Sequence, residues 1–111
     1  MMLENINNDY FFILEAQNES FKTIGVTYGI LENNTTHSGH MYVFENGKGV
    51  GRVFFDAKMD YAFAVEKVEK YIANPISTEG EKIALEKEFE KQGDRWILTR
   101  EAYEKTHEKN L

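Results

Sequence analysis

The chain has 111 residues, a length for one domain around one hydrophobic core. Its 41% hydrophobic and 14% aromatic content argues against disorder, and its net charge of −6 argues against a protein that grips a phosphate backbone nonspecifically. Cysteine is absent, which removes disulfides and thiolate metal sites.

Residues 1–9 read as a polar lead-in, 10–56 as a sheet half and 57–109 as a helical half of the same domain. The lead-in has no basic n-region, and the apolar run behind it, Tyr10 to Leu14, is too short to span a bilayer. No signal peptide or membrane span is expected, and a cytoplasmic location follows. The first fifty residues set six acids against Lys22 and Lys48, whereas the second half is densely charged and nearly balanced.

Tyr10–Gln17 is apolar on both faces, as in a central strand. Phe21–Leu31 alternates, with Lys22, Ile24, Val26, Tyr28 and Ile30 forming the expected core face. Its other face is small through Thr23, Gly25, Thr27 and Gly29. Glycines there mark a bulge, a bend or the close approach of a ligand, with the bulge favoured. Glu32–Ser38 reads as a mobile polar loop.

The strongest local signal follows. Apolar, β-prone runs flank Asn46-Gly47, the dipeptide of a two-residue hairpin turn. A hairpin from His40 to Phe55 is expected, pairing Val43 with Val50 and Met41 with Arg52. Both of its faces would be partly apolar. The glycines of Gly47-Lys48-Gly49-Val50-Gly51 resemble a phosphate-binding loop, but such loops lie between a strand and a helix. A hairpin return strand excludes that use.

Asp56 is placed as the cap of a helix from Ala57 to Ala73, with Tyr61, Val65, Val68 and Ile72 facing the sheet. Asn74-Pro75 stops it. Thr78-Glu79-Gly80-Glu81 has capping-box form and opens a second helix to Gln92, ended by Gly93. Arg95–Leu98 is a short strand at an edge, and Thr99 caps a last helix through Lys109. The expected fold class is α+β: an antiparallel sheet of four strands, five with Trp96, on one main helix with two more beside it.

Candidate chemistry is sparse. His37 and His40 have His-x-x-His spacing, which could begin a metal site or supply an acid/base pair; a metal site needs a further ligand, and Asp56 or Asp60 at the strand-to-helix junction could be carried close. No metal site and no cofactor is expected from this set. Tyr28, Tyr42, Tyr61, Tyr71, Trp96 and Tyr103 are more than a core this size needs; they either close the core edges or form a binding face, for which Tyr28, Tyr42 and Trp96 are the candidates. Lys48 and Arg52 are among the few cations of the sheet half.

Three functional readings result. The leading one is a non-enzymatic protein that binds another protein as its inhibitor or regulator; it rests on acidity, absent catalytic motifs and the two-sided hairpin. Enzymatic activity is not favoured, and a homodimer through the sheet would cover the second apolar face. The second is an oligomeric binder of an anionic small molecule near Gly25, Thr27, Gly29, Lys48 and Arg52. The third is a small hydrolase or nuclease using His37, His40 and Asp56. No direct contact with nucleic acid and no membrane contact is expected.

Overall fold

A computed structural model describes the backbone of residues 2–7, 11–45 and 49–108. Seven strands form one sheet: β1 (Met2–Asn7), β2 (Phe11–Gln17), β3 (Thr23–Glu32), β4 (Thr35–Val43), β5 (Lys70–Ala73), β6 (Glu90–Gln92) and β7 (Arg95–Thr99). Their order is β1-β2-β3-β4-β5-β7-β6. Every neighbouring pair is antiparallel except β4 and β5, which run parallel. The helices are α1 (Val50–Asp60), continued by a π-helical turn over Tyr61–Val65, α2 (Thr78–Glu86) and α3 (Arg100–Glu108). The class is α+β as expected, with more strands than the sequence signals.

The lead-in is a strand, β1, paired along its length with β2. The loop expected over Glu32–Ser38 is instead a tight turn. Asn33 takes a left-handed φ of 56°, and Glu32 pairs with Thr35. Asparagine tolerates that conformation because its short side chain bonds locally.

The face of β3 that points to the core is the small one. Phe12 sits opposite Gly29, Leu14 opposite Thr27 and Ala16 opposite Gly25, and all six are buried. A Cβ on Gly29 would lie 2.5 Å from the Phe12 ring, and one on Gly25 would lie 2.8 Å from Val50 and 2.9 Å from Phe54. The glycines make room for rings. Of the face expected inside, only Ile24 is buried; Val26, Tyr28 and Ile30 line a shallow apolar groove with Phe11 and Ile13.

The hairpin is not formed. Its turn at Asn46-Gly47, with Lys48, lies outside the described residues, but its return strand is helix: Val50 through Phe55 open α1. Val50, Phe54, Lys58 and Ala62 recur every four residues and are all buried. β-prone residues yield here to that spacing. Asp56 is therefore inside α1 and caps nothing; it pairs with Lys87, next to α2, at 2.8 Å. Residues 70–73, expected as helix, are the short strand β5.

Two apolar clusters flank the point where β4 and β5 separate. Phe12, Leu14, Ala16, Ile24, Val50 and Phe54 form one. The other joins Phe55, Met59, Phe63, Tyr71, Ile83, Phe89, Trp96 and Leu98, with Tyr103 of α3 against it. Helix α1 straddles both. Ser77 caps α2, its hydroxyl accepting from the Gly80 N–H at 3.0 Å, and α2 stops at Glu86 rather than Gln92. Glu88 turns left-handed with a φ of 66° and lets β6 begin. Thr99 accepts from the Ala102 N–H at the start of α3, as expected.

Candidate functional site

β4 and β5 are held together by three residue pairs: Thr35 with Lys70, Thr36 with Tyr71 and His37 with Ile72. Beyond His37 the strands diverge, and β4 continues for six residues with β3 alone. Between Thr27–Met41 and Gly29–Ser38, β4 carries one residue more than β3, a bulge over Gly39 and His40. The divergence and the bulge open a cavity of about 360 Å³. Ser38 to Met41 form one wall; Ala73, Asn74, Pro75, Ser77, Gly80 and Ile83 form the other; Gly51 and Phe55 of α1 lie at its base. This is the size and mixed polarity of a small-molecule site.

Helix α1 enters the cavity floor at its N-terminus. Gly49, at φ 71°, turns the chain from the glycine-rich segment into the helix. That conformation suits glycine and strains other residues. Gly49 has no side chain to cap the first turn, and no acidic residue occupies that turn among the described residues. The free backbone N–H groups and the positive end of the helix dipole make this terminus hospitable to an anion. The glycines of residues 47–51 thus stand in sequence between strand β4 and helix α1, the order a phosphate-binding loop needs.

Behind the bulge lies Lys58, fully buried on α1. Its ammonium nitrogen donates to Thr27 Oγ1 at 2.9 Å, Ser38 Oγ at 2.6 Å and the Gly39 carbonyl at 2.9 Å. Thr27 Oγ1 in turn donates to the His40 carbonyl at 3.1 Å. Tyr71, buried on β5, also bonds Ser38. Desolvation lowers the Lys58 pKa from 10.5 to about 7. Burial pushes the Tyr71 phenol well above its ordinary value and keeps it neutral. Thr36 donates to Glu66 at 2.7 Å, and burial raises that carboxyl despite the bond. Among the described residues no buried side-chain nitrogen or oxygen lacks a partner.

The expected site residues are scattered. His40 lines the cavity and meets the Tyr42 ring edge-on at 4.7 Å. His37 lies outside the cavity lining, 4.0 Å from Glu32. Asp56 is drawn to Lys87 on the outer side of α1, so the three are not assembled. No group of three or more His, Cys, Asp or Glu able to hold a metal occurs among the described residues. Arg52 is bound to Glu86 at 2.6 Å, with Glu79 at 3.9 Å. Gly25 and Gly29 are filled by side chains of the protein, so no ligand space opens there. Trp96 is core, with the Lys91 ammonium 5.7 Å from its ring centre. Tyr28 sits over Gly39 on the apolar face, and Tyr42 is half exposed. Ser38 and Lys58 went unnoticed in the sequence, although the four-residue spacing that buries Lys58 is visible there.

No family model matches this chain, and no curated protein does. Solved structures do match. Mutant forms of the spermidine/spermine N-acetyltransferase SpeG from Vibrio cholerae share 15% identity at a TM-score of 0.75; the match covers 90% of this chain and 70% of that one. SpeG in complex with manganese ions matches at 15% identity and 0.73, over 89% and 71%. A dodecameric structure of the Vibrio cholerae spermidine N-acetyltransferase matches at 15% and 0.70, over 86% and 68%. The fold is that of the GNAT acetyltransferases. This overturns the expectation of a non-enzymatic inhibitor or regulator, which rested on a hairpin that does not form and on an absence of linear motifs. Among the described residues no helix is long and apolar enough to cross a membrane.

Proposed function

We propose that the chain is an N-acyltransferase that moves an acyl group from an acyl-coenzyme A thioester to an amine in the β4/β5 cleft. The observation that carries this reading is the coincidence of the cleft with the uncapped N-terminus of α1 on the GNAT fold. The donor supplies two chemistries: phosphates, which suit the α1 terminus, and an extended amide-bearing arm. The unpaired edge of β4 from Ser38 onward offers that arm backbone hydrogen-bond partners, as an added strand would. Ser38 and His40 are the polar side chains on that wall. An amine acceptor accords with a net charge of −6 and with the polyamine substrates named for the Vibrio enzyme.

Thermal unfolding with acetyl-coenzyme A, against the dephosphorylated arm alone, tests the reading. An upward shift of a few degrees with the full donor is expected, from binding that stabilises the folded state by mass action. It should shrink in Gly51→Asp, which adds a negative charge at the helix entrance. No shift, together with no acetylation across a panel of mono- and polyamines, would overturn it.

The groove of Phe11, Ile13, Val26, Tyr28 and Ile30 on the sheet face opposite the buried residues supports a second copy as its cover, in line with the assembly formed by the Vibrio enzyme. Light scattering should show an oligomer that Ile13→Lys dissociates; a wild-type monomer at high concentration would exclude it.

A further inference from the structure

The cleft wall contains a hydroxyl wired to a buried amine. We propose that Lys58 is a positioning residue that accepts, through Ser38, the proton released by the attacking amine. This rests on the acyl-transfer reading and goes beyond it by assigning the proton path.

The hydrogen-bond inventory fits. A neutral lysine has two N–H donors and one lone pair. The ammonium donates to Thr27 Oγ1, the Gly39 carbonyl and Ser38 Oγ; on losing a proton it keeps the first two bonds, and its lone pair can accept from the Ser38 hydroxyl 2.6 Å away. Tyr71 bonds the same serine oxygen. Ser38 has one hydroxyl hydrogen, which can turn from Tyr71 to Lys58, and its lone pairs then remain for a cleft-bound amine. When Lys58 is protonated it donates to all three oxygens, and the Ser38 hydroxyl turns to the Gly39 carbonyl at 3.3 Å. Both protonation states are fully bonded and differ in the direction of one hydrogen bond.

The step balances. The amine nitrogen attacks the thioester carbonyl carbon. The C–N bond forms as the C–S bond breaks, and the electron pair leaves on sulfur. The proton from nitrogen passes to Ser38 Oγ as the serine proton passes to Lys58 Nζ. The resulting ammonium returns a proton through Ser38 to the thiolate, giving amide and free thiol. Depression of the amine by burial to about 7 lets both forms exist near neutrality, where such a relay works best.

The other ionisable groups around the relay and its cavity are Tyr71 on β5, His37 and His40 on β4, Glu66, bound to Thr36, and Glu79 of α2 on the opposite wall. Among the described residues no carboxylate pairs with Lys58. This is why desolvation is unopposed by charge.

The test is a pH profile of kcat and KM for acetyl-coenzyme A plus an amine, with wild type, Lys58→Met and Ser38→Ala, alongside an NMR titration of the lysine side chains. Wild type should show an acid limb in kcat centred near the Lys58 midpoint of about 7. Both variants should lose about 10²-fold in kcat, keep KM for the donor within about twofold and lose that limb. Ser38→Ala leaves Lys58 in place, so it remains informative if Lys58→Met does not fold. A limb that survives both substitutions belongs to a histidine and overturns the relay while acyl transfer stands. A Lys58 signal titrating at the ordinary lysine value also overturns it. Absence of donor binding and turnover in wild type overturns the acyl-transfer reading and this proposal with it.

Discussion

Lys58 occupies a position that sequence periodicity assigns to the core, between Phe54 and Ala62 in a buried stripe. An ionisable group there must be explained by its partners, and Thr27, Ser38 and Gly39 supply them. The arrangement has a thermodynamic signature. The folded state binds the Lys58 proton less tightly than the unfolded chain, so its burden is complete below pH 7 and lifts as pH rises toward 10.5. At neutral pH that burden is on the order of 4 kcal/mol, of which roughly 3 should be relieved by pH 9.5. Urea unfolding from pH 7 to 9.5 should show wild-type stability rising and Lys58→Met lacking this rise. Equal slopes would mean that Lys58 is not desolvated. Tyr71 and Tyr103 act with the opposite sign, since their raised values favour the folded state until pH climbs above the ordinary phenol range, so they leave this window undisturbed. Ser38 and Lys58 are not linked by any sequence pattern because their relation is tertiary: they lie twenty residues apart, on a strand and on the helix that follows it.

At the level of elements, the strands with clear apolar runs or alternation are legible in the sequence. β2 and β3 fall within two residues of expectation, and β7 contains the Trp96 segment. The reading failed at Val50–Phe55, where Asn46-Gly47 and a Val-Phe-Phe run gave a local signal for a hairpin. Burial against two clusters decided for helix, because Val50, Phe54 and Phe55 reach apolar partners on both sides of the strand divergence only from a helix. A return strand expected at Val50–Phe55 conceals the helix N-terminus that borders the cavity. α2 is different. Its apolar face is thin, so its cap matters more. Ser77 carries that cap and also lines the cavity. Ser77→Ala should cost about 1 kcal/mol in chemical denaturation, and Ser77→Asp should restore most of it. An unchanged midpoint in Ser77→Ala would show that tertiary contacts alone hold the α2 start.

For the whole molecule, fold class was legible from the succession of strand-like and helix-like segments, while activity was not. The sequence has no motif whose residues are adjacent, and the cleft is made from a β4 wall and a β5–α2 wall that lie more than thirty residues apart. Charge was legible and its meaning was not: acidity that suited a basic protein partner suits a cationic acceptor equally well. The inward and outward faces of β3 were exchanged because small residues against large rings conserve volume, a fit that a hydrophobicity pattern does not register.

The three-pair ladder between β4 and β5 carries one more implication. Strands β1 to β4 form a continuous meander, and β5 to β7 with α2 form a second unit; α1 and those three pairs are prominent among the contacts that bind one to the other. Each unit owns one wall of the cleft. Divided in the chain between them, neither fragment would keep half a cleft: it would keep none, and the enclosed space would return only when the two were reassembled.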